Sequence, residues 1–91
     1  MARLARWAGY LPGDMVRVVP KSELDFCRMA KPRTAKIMTD LLTPELAELL
    51  GQHGIIVGIR YGEHVRYTLD IAPNIEIDER LIRMYQPKEK S

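Results

Sequence analysis

The chain predicts a mainly β domain: about five short strands, with a helical insertion between the first strand and the second. Three observations carry that expectation. In residues 55–61, Ile55, Val57, Ile59 and Tyr61 alternate with Ile56, Gly58 and Arg60, and in residues 65–71, Val65, Tyr67, Leu69 and Ile71 alternate with Arg66, Thr68 and Asp70. Successive strand side chains point to opposite faces, so both segments read as strands, joined through Gly62-Glu63-His64 into a hairpin that shares one apolar face. Short turn signals then cut the rest of the C-terminal half into strand-length pieces, and the helix signals all lie earlier, between Ser22 and Leu50.

Taken in order, Met1 to Leu11 is a basic and aromatic arm carrying Arg3, Arg6, Trp7 and Tyr10. Its apolar run is too short for a signal-peptide core or a membrane span. Pro12-Gly13-Asp14 is a turn, and the β-branched run Met15-Val16-Arg17-Val18-Val19 is a first strand ended by Pro20, which cannot donate to a ladder. Ser22 with Asp25 three residues on has the spacing of a capping box, opening a helix through Leu24, Phe26, Cys27 and Met29 that Pro32 stops. Thr34 to Leu42 is a second helical piece. Thr43-Pro44-Glu45 is the clearest helix start: a threonine cap, proline at the first helical position and an acid at the positive end of the dipole. Leu46, Ala47, Leu49 and Leu50 form its buried stripe, and Gly51 supplies a left-handed C-terminal residue. After the hairpin, Ala72-Pro73-Asn74 is a turn, Ile75 and Ile77 lie on a short strand, Asp78-Glu79-Arg80 is a tight turn and Leu81 to Tyr85 is the last strand. Gln86 to Ser91 is expected to be a disordered polar tail, so residues 12–85 form the domain and residues 22–50 its insertion.

Ninety-one residues make one domain with a thin core, since a chain of this size hides roughly 60 to 65 percent of its unfolded surface. The lone Cys27 cannot form an internal disulfide, which points to an intracellular, cytoplasmic setting. A net charge of +2 conceals a segregation: residues 1–36 hold eight Lys or Arg against three acids, and residues 37–80 hold three against eight. Such polarity bears on partners rather than on fold.

No catalytic constellation emerges. Cys27, between Phe26 and Met29, reads as a small buried hydrophobe rather than a nucleophile. His53 and His64 sit at opposite ends of one strand, about 30 Å apart, too far to share a metal. Asp70, Glu76, Asp78 and Glu79 lack the spacing of a calcium loop, because Pro73 and Ile75 stand where ligands belong. The glycines of residues 51–58 precede a strand rather than a helix, the reverse of a phosphate-cradling loop. The chain is therefore expected to be no enzyme and to need no cofactor and no metal.

The strand Gly13-Asp14-Met15-Val16-Arg17-Val18, a long excursion, the spaced Gly51, Gly54, Ile56 and Gly58, the return-strand Tyr67 and the closing Asp78, Glu79 and Leu81 together form a pattern. It resembles the small SH3-like barrels, among them the KOW-type domains of ribosomal and transcription proteins and the accessory subunits of ferredoxin-dependent enzymes and photosystem I. The resemblance implies a closed sheet of about five strands and a binding role. The excursion is longer than the corresponding loop of those families.

The binding expectation rests on the residues themselves. Arg17, Lys21, Arg28, Lys31, Arg33 and Lys36 lie close in sequence, and Arg3, Arg6 and Trp7 can extend the same surface. Cations interleaved with aromatics meet the demands of a nucleic acid, namely charge for phosphates and rings for bases. The competing reading is a protein-binding adaptor, inhibitor or accessory subunit, with Phe26, Met29, Ile37 and Met38 as an apolar docking patch. A sheet edge left unpaired would leave self-association open. No membrane partner is expected.

Overall fold

The structure, a computed structural model, describes residues 9–85. The sequence-predicted arm residues Arg3, Arg6 and Trp7 and the tail from Gln86 lie outside the described residues.

Strand β1 (Met15–Val18) leads through Val19 and Pro20 into three helices, α1 (Lys21–Ala30), α2 (Pro32–Asp40) and the single turn α3 (Pro44–Ala47). Strands β2 (His53–Arg60), β3 (Arg66–Leu69) and β4 (Ala72–Asp78) follow, then a 3-10 turn (Glu79–Leu81) and β5 (Ile82–Met84). All pairings are antiparallel and the sheet order is β4-β3-β2-β1-β5.

Two parts of the expected fold class are corrected. Helix and strand each account for 34% of the described residues, so the domain is mixed α/β rather than mainly β. The sheet is also not closed into a barrel. β5 is three residues long and its ladder is spent on β1, while β4 pairs only with β3. The excursion is part of the core: Leu24, Cys27, Ala35, Met38, Leu46 and Leu49 bury into the same cluster as Val16, Val18, Tyr67, Leu69 and Ile77. Burying six apolar side chains of the insertion is what holds its short helices, since helices of four to ten residues are marginal alone.

Local signals hold where backbone chemistry is decisive. Thr43 Oγ1 accepts a hydrogen bond from Leu46 N at 3.1 Å, with Pro44 first in α3, and Gly51 has the expected left-handed φ of 83°, although α3 ends at Ala47 with Glu48 as its cap, so Gly51 closes the following turn rather than the helix. Pro32 opens α2 after ending α1. The capping box is not formed: the residue ahead of α1 is Pro20, no side chain caps it, and Ser22 lies inside the first turn. Pro20 has already set an extended backbone (ψ 155°), and its carbonyl accepts from Glu23 and Leu24.

The hairpin departs from expectation in two places. On the return segment Val65, Tyr67 and Leu69 are fully buried as read, but Ile71, expected on the same face, is 41% exposed. In β2, however, Ile56 is buried while Ile55 and Val57 face out. A register shift between Ile56 and Gly58 opposes two β2 residues to one β3 residue, and beyond it Ile59 pairs with Tyr67 and turns inward. A bulge of one residue exchanges the faces of a strand, so the apolar run contributes Ile56 before the shift and Ile59 after it.

Candidate nucleic-acid interface

The basic set divides by what each side chain already holds. Arg17 projects from the outward side of β1 and its Nε donates to the Gly51 carbonyl at 3.2 Å. Lys21 and Arg28 flank Asp25 on α1 at 3.7 and 2.7 Å, and Lys36 reaches Asp40 on α2 at 3.2 Å. These are exposed pairs one helical turn apart, worth a few tenths of a kcal/mol each. Lys31 and Arg33 are exposed and have no ion-pair partner among the described residues. They stand at the elbow between α1 and α2. Lys31 N–H donates to the Cys27 carbonyl, and its own carbonyl accepts from Ala35 N at 3.0 Å, so its backbone ties the two helices together while its ammonium stays free. Beside the elbow is a surface cleft of about 270 Å³ lined by Arg28, Pro32, Ala35, Lys36, Thr39 and Asp40.

Of the apolar docking patch, Phe26 and Met29 are 63% and 85% exposed and Ile37 is also exposed. Met38 is corrected: it is 3% exposed and belongs to the core. Three residues after buried Ala35, it lies on the inward stripe of α2, and its Sδ accepts from Arg83 Nη2 at 3.7 Å. Cys27 is buried on α1 beside Leu24.

The structure adds groups that the spacing of residues did not expose. Arg83 of β5 grips Glu23 of α1 at 2.8 Å and donates to the Arg80 and Ile82 carbonyls, which locks the helices to the sheet edge. His53 and Tyr85 bring their ring centroids within 4.6 Å at 36°. At the β2–β3 tip, Arg60 and Arg66 face each other across the ladder and share Glu76, at 3.1 and 3.7 Å. His64 Nδ1 is buried without a hydrogen bond, 3.5 Å from a Glu79 carboxylate oxygen.

Asp78, Tyr67 and Arg80 have shifted titrations, that of Arg80 upward through its side-chain hydrogen bonds to Asp78. Burial would raise the Asp78 carboxyl, but the Arg80 guanidinium and backbone N–H bond it and hold it below its ordinary value. Burial pushes the Tyr67 phenol above its ordinary value, although its oxygen accepts from Gly9 N at 3.0 Å. Tyr10 packs edge-on to the same ring at 5.7 Å, so Gly9 and Tyr10 are both held against Tyr67.

Among the described residues no group of three His, Cys, Asp or Glu side chains is arranged to hold a metal ion, and no helix is long and apolar enough to cross a membrane. No family model, curated protein or solved structure matches the chain.

Proposed function

We propose that this chain is a non-catalytic binding module, a small SH3-like domain with a helical insertion, that attaches to nucleic acid or to a nucleoprotein assembly. The SH3-like reading is supported by the strand order β4-β3-β2-β1-β5 and the 3-10 turn between the last two strands, although the sheet stays open. The observation that carries the function is the elbow: Lys31 and Arg33 stand exposed with no ion pair among the described residues, while Lys21, Arg28 and Lys36 are paired with carboxylates and Arg17 donates only to a carbonyl. A phosphate contact requires such a charge, because binding is driven by release of the counterions that the cation replaces.

The test is binding of a fluorescent 20-nucleotide oligonucleotide across a salt series. Replacing Lys31 and Arg33 by alanine should weaken binding and make the slope of log K against log salt shallower by roughly 1.4 to 1.8. Neither substitution should shift the unfolding midpoint appreciably, since no partner is lost. An unchanged slope, or no binding at low salt by the parent, would refute the assignment. The exposure of Phe26 and Met29 favours a second reading, docking on a larger protein through α1. There, Phe26→Ala would abolish capture of the partner while leaving the fold intact and the oligonucleotide unbound.

A further inference from the structure

The outward face of β5, β1 and β2 presents a second surface, distinct from the helical elbow. Arg17 lies directly opposite both His53 and Arg83 in the ladders, and Met15 lies directly opposite Ile55 one step along. The His53–Tyr85 ring pair spans this face across β1, half-buried on the Tyr85 side and exposed on the His53 side. Exposed Met15, Ile55 and Val57 continue it as an apolar strip. Arg83 contributes no free charge, being taken up by Glu23 and two carbonyls. Arg17 differs: among the described residues only its Nε is engaged, which leaves both terminal amino groups to donate. Lys21, whose bond to Asp25 is long at 3.7 Å, begins α1 just after the strand that carries Arg17.

We infer that this face is a platform for single-stranded nucleic acid, with the His53–Tyr85 pair stacking an unpaired base, Arg17 holding the adjoining phosphate, and Met15 and Ile55 covering the sugar and base edges. The inference rests on the nucleic-acid reading and narrows it. A ring lying on a sheet face can stack only on a base whose own face is free, and a duplex buries its base faces between neighbouring pairs. Charge at the elbow alone favours the duplex, the denser polyanion. The ring pair is what selects the single strand.

The experiment compares a 20-nucleotide oligothymidylate with a 20-base-pair duplex, using the full chain and the variants Tyr85→Ala, Tyr85→Phe and His53→Ala, each checked by its urea midpoint. The single strand should bind more tightly than the duplex. Tyr85→Ala should weaken it by roughly 5- to 150-fold, the range for loss of one stacked base, with the salt slope unchanged. Tyr85→Phe should bind as the parent does. Should Tyr85→Ala prove unstable, exposed His53→Ala carries the same expectation without a core role. Equal binding of duplex and single strand, or variants that bind like the parent, would overturn the platform while leaving the elbow assignment standing. Absence of binding to either probe would remove both. Loss of self-association in Tyr85→Ala with oligonucleotide binding intact would overturn the platform in favour of a protein interface.

Discussion

The turn that returns the chain from β4 to β5 depends on one carboxylate, and replacing Asp78 by alanine should cost about 2–4 kcal/mol. Asp78 is 8% exposed, and its Oδ1 accepts from both Arg80 N and Arg80 Nε at 2.9 Å while Oδ2 accepts from Nη2 at 3.0 Å. The backbone bond is the cap of the 3-10 turn, worth about 0.5–2 kcal/mol. The two guanidinium bonds are charge-assisted, but the Arg80 side chain is 37% exposed, so the fully buried figure of about 3–5 kcal/mol must be discounted for solvent screening. The sum is a large share of the roughly 5–15 kcal/mol of a typical domain. Urea unfolding at neutral pH should show a lower midpoint with an unchanged slope. A pH series supplies an independent arm. Because the folded pKa of Asp78 lies below its unfolded value, its stabilisation is present above the ordinary carboxylate range, near pH 4, and is lost as pH falls through the folded value. The gap between parent and Asp78→Ala should therefore narrow on acidification below about pH 4. A cost under about 0.5 kcal/mol at pH 7, the level of an ordinary surface substitution, would refute the role given to this turn, as would a gap independent of pH.

Tyr67→Phe removes the acceptor of Gly9 N–H near the surface and should cost about 0.5–1.5 kcal/mol by denaturation. The Tyr67 phenol titrates above its ordinary value, so the stability it supports is complete below about pH 10 and declines as pH rises through the folded value; ultraviolet titration should show a late-ionising tyrosine that Tyr67→Phe lacks. At Gly54 an added Cβ would lie 2.7 Å from Asp70 Oδ1, the atom that accepts from Ile55 N at 2.9 Å. Gly54→Ala should thus destabilise by about 1–3 kcal/mol, and Asp70→Ala in the same chain should cost less than it does alone. Met38→Ala should cost about 2–5 kcal/mol, whereas Met29→Ala should stay within about 0.5 kcal/mol; equal effects in unfolding would contradict the packing of α2.

The nucleic-acid candidates show how far residue patterns reach. That residues 17–36 carry a basic surface was legible, because charge survives any fold. Which of those charges are free was not, since it depends on Asp25 and Asp40 falling one helical turn from Lys21, Arg28 and Lys36 and on Lys31 and Arg33 falling at a bend. Phe26 and Met38 looked alike as apolar helix residues, and only the packing of α1 and α2 sent one outward and the other into the core. His53 and Tyr85 carried no joint signal. They lie far apart in sequence and meet because β1 pairs with both β2 and β5.

By itself the sequence determined whatever depends on a residue and its near neighbours: the Thr43-Pro44 helix start, the left-handed Gly51, the breaks at Pro20 and Pro32, and the strand character of the C-terminal half. These are matters of backbone dihedrals and local hydrogen bonds, which the chain settles over a few residues. Tertiary structure decided which face of β2 is buried, because one bulge reverses the parity that alternation alone leaves ambiguous. It also decided that the excursion joins the core instead of standing apart: Leu24, Cys27, Ala35, Met38, Leu46 and Leu49 share one buried cluster with Val18, Leu69 and Ile77 of the open sheet.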